Sequence, residues 1–418
     1  MVQNSRLIFN IMKKTIKFIG IVAVAAATVL LASCNKETAK SYELKVNVTL
    51  PDGVGQADIN DIAAVAVKGS KTVDLTVEKI EVKGEDVPVA YVAAGTLTQG
   101  DYKVTVTGKI TETNSVIGTA DVSLYEDVET TLALSVVSKS PLLIKAFQYT
   151  PGKQYYIQPL SDTWIEIVNN SDEVQYLDQI ILVGGMGGQK QANAWQANGF
   201  AHLYGGVTQS PVFAFPGNGT DYPLQPGKSV VIANAPINHQ AQGAGFENCT
   251  DLSHADWEFY CSYNAKDTDY EGIPNLSFIF TSFNSQANWG QGFFYNGAML
   301  VKLPAGITPA QYAANEENLM TTPGTTSKSQ YLIFPNNYVL DAVDIWDGTE
   351  EEHYPVFLAV DDAKGIIGAE AWSGQAVRRK VTKIENGRAY YKDTNNSSND
   401  FVVAKVIPGA EPTEVDAD

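Results

Sequence analysis

The sequence predicts an all-β chain built as two β-sandwich domains, and three observations carry that expectation. Between Tyr42 and Val137, short runs rich in Val and Thr alternate apolar and polar residues at period two, as half-buried strands do. Gly, Asp and Asn turns separate these runs, and no stretch of useful length has a helical period. Beyond Leu142 strands persist, but the loops lengthen and fill with Gly, Asn, Gln and aromatics, as in GGMGGQKQANAWQANGFAHLYGG. Such loops are uncommon in a compact domain. Their aromatic content argues for order rather than for linkers.

The chain opens on an address. Met12-Lys13-Lys14 and Lys17 precede the apolar run Phe18 to Ala32, which ends Leu31-Ala32-Ser33-Cys34. The run is short of the ~20 apolar residues a membrane span needs, so it reads as a secretory signal peptide over residues 1–33, with Met12 as the true start. The ending resembles the bacterial lipoprotein box. That resemblance implies cleavage before Cys34 and acylation of its thiol, palmitate included, and hence an outer-membrane protein held to the membrane by its N-terminal lipid. Each buried CH₂ of the acyl chains contributes ~0.8 kcal/mol to anchoring. Surface lipoproteins of the Bacteroides type carry acidic residues directly after the cysteine. Asn35-Lys36-Glu37-Thr38 is a thin version, which leaves the surface and periplasmic faces both open.

Residues 34–41 form the lipidated tether, and 42–138 the first sandwich. Its strands read YELKVNVTL, DIAAVAV, PVAYVAA, DYKVTVTGKI, VIGTADVSLY and ETTLALSVV. The segment Leu97 to Val106 resembles the closing strands of transthyretin-like and carboxypeptidase-regulatory-like modules, with their G-x-Y-x-V strand after a tight Gly turn.

The second domain spans 139–411, with an acidic tail at 412–418. In TWIEIVNN, Thr163 to Asn170, Ile165 and Ile167 fall on one face, and Trp164, Glu166 and Val168 on the other. Asn169 to Asp172 is a turn, because Asn and Asp bond nearby amides and tolerate left-handed backbone. Strands follow at Gln179 to Val183, in LQPGKSVVIA, AMLVKL, VLDAVDIW and GQAVRRKV, and the set closes on DTNNSSNDF and Pro408-Gly409. This ordered set resembles the lamin-tail domain, an immunoglobulin-like sandwich, here with long loop insertions. It is also similar to an uncharacterised family of Bacteroides-type lipoproteins that shares stretches such as LSHADWEFY. The resemblance implies a sandwich and an envelope address, and no defined activity. Glu166 then reads as a structural carboxylate. Arg378, Arg379 and Arg388, three of the chain's four arginines, are its candidate partners, an arginine–carboxylate fork being the strong form of such a bond.

A net charge of −18 repels phosphate backbones and sets nucleic acid aside as a partner. Cys249 and Cys261 form an even pair in an exported chain, which suggests a disulfide as the alternative to two buried thiols. Among the four histidines, His254-Ala-Asp256-Trp-Glu258 places ligand-type residues at alternate positions, with His239 nearby. Histidines in loops more commonly bond backbone and water, and no recognised metal spacing is present. Asp393, Asn395, Ser397 and Asn399 offer oxygens at every second position, as calcium loops do, but without the central Gly and terminal Glu of the common loop. Calcium is the one ion this pattern suggests, and no cofactor is otherwise expected. Asp267 to Glu271 is a second oxygen-rich stretch of the same kind. No nucleophile elbow, dinucleotide fingerprint or P-loop occurs.

The expectation is therefore a lipid-anchored, non-catalytic binding module, alone or as accessory to an outer-membrane transporter of a nutrient or metal complex. The contrasting expectations are a metal-dependent hydrolase using His239, His254 and Asp256 or Glu258, and a purely structural or adhesive surface protein.

Overall fold

The computed structural model describes residues 40–51, 53–69, 71–80, 89–111, 114–138, 140–156, 161–185, 190–205, 210–291, 296–346, 348–349 and 352–417. Residues 1–33, expected to be a signal peptide, and Cys34 lie outside the described residues.

Eight strands build the first module: β1 (Ser41–Thr49), β2 (Asn60–Lys68), β3 (Lys71–Lys79), β4 (Val89–Thr98), β5 (Gly100–Lys109), β6 (Asn114–Leu124), β7 (Val128–Ala133) and β8 (Ser135–Ser138). They bond in the order β7-β1-β4-β3-β2-β5-β6-β8. The start of β3, Lys71 to Leu75, pairs with β2, and its end, Thr76 to Lys79, with β4. β3 thus passes from one layer of the sandwich to the other. Val73, Leu75 and Val77 alternate with Asp74, Thr76 and Glu78 at period two along it, although only Leu75 is fully buried. In β1 the alternation is plain: Leu44, Val46 and Val48 are buried while Glu43 and Lys45 face solvent. Burying each such side chain contributes roughly 1.5–3 kcal/mol.

Two six-stranded sheets build the second module. In chain order their strands are β9 (Leu142–Gln148), β10 (Trp164–Asn169), β11 (Ile181–Gly184), β12 (Val212–Ala214), β13 (Ser229–Ala233), β14 (Trp257–Glu258), β15 (Ser277–Phe280), β16 (Asn296–Val301), β17 (Val339–Trp346), β18 (Ile366–Ile367), β19 (Ala376–Arg379) and β20 (Phe401–Ala404). One sheet runs β14-β13-β10-β9-β19-β20, the other β15-β12-β11-β16-β17-β18. Ile165 and Ile167 meet Phe147, Leu182, Leu300 and Val343 in the core between them. On the other face of β10, Trp164 packs with Ala146, Val231 and Leu252. The outer face of the second sheet is covered in turn: Ile181, Val183, Met299 and Val301 pack with Tyr312, Phe334 and Phe357 from the long connections.

The loop aromatics serve this packing. Trp195, Tyr204, Trp257 and Trp289 are buried, and Phe259 stacks on Trp289 with ring centroids 4.5 Å apart. Phe200, Phe246 and Tyr260 are half-buried, while Phe293, Phe294 and Tyr295 lie outside the described residues. One close approach requires glycine. A Cβ at Gly374, whose φ is +68°, would stand 1.9 Å from the Asn248 carbonyl oxygen.

Candidate functional site

Glu166 is wholly buried on β10, and its partner is a lysine rather than an arginine. Lys145 Nζ donates to Glu166 Oε1 at 2.7 Å, and the Ser229 hydroxyl donates to the same oxygen at 2.6 Å. The correction follows from strand order. β9 lies between β10 and β19, so its own cation intercepts the carboxylate. Of the arginines, Arg378 forks onto Asp416 through both terminal nitrogens at 2.7 Å. Arg388 pairs with Asp172 at 2.6 Å and lies over the Tyr390 ring.

Arg379 points the other way, into the protein, and organises residues 393–400, which lead into β20. Its Nη2 lies 2.7 Å from Asp341 on β17, and its Nη1 lies 3.4 Å from Asp393 and 3.6 Å from Asp400. Burial works against this cation, but the three carboxylates hold its pKa above the ordinary value. Burial pushes Asp341 up to about 7 even beside the guanidinium, with Asp393 adding to the rise.

The residues of the calcium-like pattern are bonded into this scaffold. Asp393 turns toward Arg379, and the Asn395 amide donates to the Val360 carbonyl at 2.6 Å. Ser397 donates through its backbone N–H and its hydroxyl to Asp362, at 2.8 and 2.5 Å. Asn399 donates its N–H to Asn396. Asp400 accepts from the Thr394 N–H and hydroxyl at 2.8 and 2.7 Å. The loop is thus held by its own hydrogen bonds and by the Arg379 ion pairs.

The histidine cluster is likewise dispersed. His239 is buried and bonded at both ring nitrogens. Nε2 donates to the Ala235 carbonyl at 2.8 Å, which leaves Nδ1 to accept from the Tyr156 hydroxyl at 2.6 Å. Burial lowers its pKa. His254 is exposed on a turn. Asp256 accepts the Val231 N–H at 2.8 Å, and Glu258, pushed up to about 8 by burial, accepts the Tyr270 N–H at 3.1 Å. Among the described residues, no group of three or more His, Cys, Asp or Glu is placed to hold a metal ion.

Cys249 and Cys261 are free, buried thiols, and no disulfide joins them. Burial pushes each up to about 12, and the Cys261 thiol donates to the Ala287 carbonyl. Cys261 packs in the apolar core, whereas Cys249 lies beside the Asp162 carboxylate.

What the 393–400 loop presents outward is a cleft. Residues 41–418 cluster as one unit, and within it a cavity of about 170 Å³ opens between the two modules. One wall is Asp61, Thr107 to Lys109 and Ser115 to Ile117. The other is Asp393, Thr394 and Asn395. Asp61 sits where the β2–β5 register shifts, with φ of 50°, and Asn395 has φ of 51°. Asp and Asn take this left-handed region at small cost. Hydroxyls, an amide, carboxylates and a lysine thus line the cleft beside the apolar Val116 and Ile117. Such a mixture suits a small polar molecule with one apolar face. The sequence singled out Asp393 and Asn395, but as metal ligands. Asp61 and Lys109 carry no local signal, because only the packing of one module on the other brings them to this loop.

The fold and cleft define a two-module β-sandwich protein with a recess between its modules. A family model described as "Protein of unknown function (DUF4876)" matches residues 225–407. The structure is similar to the crystal structure of a DUF4876 family protein from Bacteroides thetaiotaomicron VPI-5482, with a TM-score of 0.55 and 21% identity, covering 90% of this chain and 99% of that one. At that identity the likeness establishes the fold. No curated protein matches the chain.

Proposed function

We propose that the chain is a lipid-anchored envelope protein that acts as a non-catalytic binding module, with a small polar ligand held in the cleft between its two sandwiches. Anchoring rests on the Lys13-Lys14 head, the apolar run and Leu31-Ala32-Ser33-Cys34. The lamin-tail-like reading of the second module rests on its ordered motifs, from TWIEIVNN to DTNNSSNDF. The observation that carries the binding reading is the rigid wall of the cleft. Asp393, Thr394 and Asn395 are fixed by Arg379, Asp400 and Val360, so the wall is organised before any ligand arrives. The residues a hydrolase would use lie elsewhere, bonded to backbone or exposed. A place beside an outer-membrane transporter is the extension of this reading that the lipid anchor favours.

The test is a thermal-shift screen of sugars, polyols and amino acids against the wild type and Ser115→Trp, which fills the cleft. A cleft ligand raises the wild-type Tm by mass action and leaves the variant unmoved. A ligand that shifts both equally, or a screen in which every compound leaves the wild type unmoved, would contradict the proposal.

A further inference from the structure

The outer face of the β14-β13-β10-β9-β19-β20 sheet is crossed by a strap, residues 405–417, without helix or strand. Polar clamps hold it. Lys145 Nζ donates to the Ala410 carbonyl at 3.0 Å, and Lys228 pairs with Glu411 at 2.9 Å. Arg378 forks onto Asp416. The Val381 N–H donates to Asp416 Oδ2 at 2.8 Å, and the Asp416 N–H returns a bond to the Val381 carbonyl at 3.0 Å.

A segment that was only the last piece of a core would bury its large apolar residues. Here Val406 packs on the sheet beside Ala146 and Trp164, but Ile407 is 78% and Val415 52% exposed. Beneath the strap, Glu166 Oε2 and the Tyr391 hydroxyl are both buried without a hydrogen-bond partner. Burial and the nearby Glu166 charge raise the Tyr391 pKa, which places the two groups in one neighbourhood. Orphaned buried polar atoms are rare and call for a missing partner. The strap therefore matches the cations of this face but leaves its deepest acceptor and hydroxyl unmatched.

We propose that this face is a recognition groove for an extended acidic peptide, filled in cis by residues 405–417 and, in a complex, by the acidic segment of a partner protein. Lys228 and Arg378 read carboxylates, Lys145 reads a backbone carbonyl, and Glu166 with Tyr391 takes a polar side chain that the strap lacks. The outer clamps are partly exposed, so they are weak and salt-screened. The strap holds the groove chiefly because it is tethered, at millimolar effective concentration.

The experiment uses the full chain carrying Glu411→Gln and Asp416→Asn, and a labelled peptide of the sequence KVIPGAEPTEVDA. The expected result is saturable binding at least about tenfold tighter than to the wild type, because the cis competitor is weakened. It should decline with salt and vanish when the peptide carries the same two changes. Absence of saturable binding, or binding indifferent to the peptide's charges, would overturn the proposal. Hydrogen exchange of the wild type gives an independent check. Strap amides must open ahead of those in β10, and exchange of both only on global unfolding would also overturn it.

Discussion

Glu166 and Arg378 stand opposite the same residue, Ala146, from the two sides of β9, and neither bonds the other. Glu166 is held by Lys145 and Ser229, whereas Arg378 reaches out to Asp416. The sheet thus carries a buried ion pair and a half-exposed one side by side, and they should respond differently to mutation.

Removing one member of the buried pair leaves a charge without its counter-ion. Lys145→Ala should destabilise the protein by roughly 3–5 kcal/mol, and Lys145→Met combined with Glu166→Leu by far less, because the double change removes both charges. Urea denaturation of the three proteins checks this. Equal losses in the single and double variants would count against the pair.

Arg379 serves three carboxylates, and lysine cannot reproduce its fork. Arg379→Lys should fold but loosen the 393–400 loop, with faster hydrogen exchange at Thr394, Ser397 and Asn399 and little change in β1 or β4. Uniform acceleration across both modules would show that the arginine acts on global stability instead.

Asp361 is pushed up to about 7 by burial, with the Tyr204 hydroxyl bonding it and opposing the rise. In an unfolded chain the same group titrates at about 3.9. Between those values the folded state keeps a proton the unfolded state has lost. The stability this confers is whole below about pH 4 and is lost as the pH rises through about 7. Asp361→Asn should therefore flatten the fall in stability across that window, measured as the difference between wild type and variant. A difference that does not change with pH would remove Asp361 as its source.

Cys249 and Cys261 should resist alkylation in the native protein and both react on unfolding without a reductant. A requirement for reductant would mean that they are bridged.

Much of the fold is legible because the runs obey simple periods. TWIEIVNN splits its side chains between two faces, and the structure buries Ile165 and Ile167 on one and Trp164 on the other. β9, LLIKAFQ, is buried at every position, so it shows no alternation, and Lys145 passes unnoticed inside it. That omission assigned Glu166 to the arginines. VLDAVDIW held a signal that was readable: carboxylates in an apolar strand are seldom buried without partners. Asp341 meets Arg379, and Asp344, on the opposite face, meets His353 at 3.0 Å. The cleft was illegible because Asp61 and Asn395 are more than three hundred positions apart in the sequence, and only the packing of the two modules joins them.

The most direct measurement is native mass spectrometry of the chain extracted gently in detergent from the cells that express it, beside Ser115→Trp prepared in the same way. A cleft-binding envelope protein should carry an N-terminal acyl mass and retain a small ligand at one per chain, with the ligand lost in the variant. An unacylated chain, or a ligand retained equally by both proteins, would contradict the lipid-anchored, cleft-binding reading.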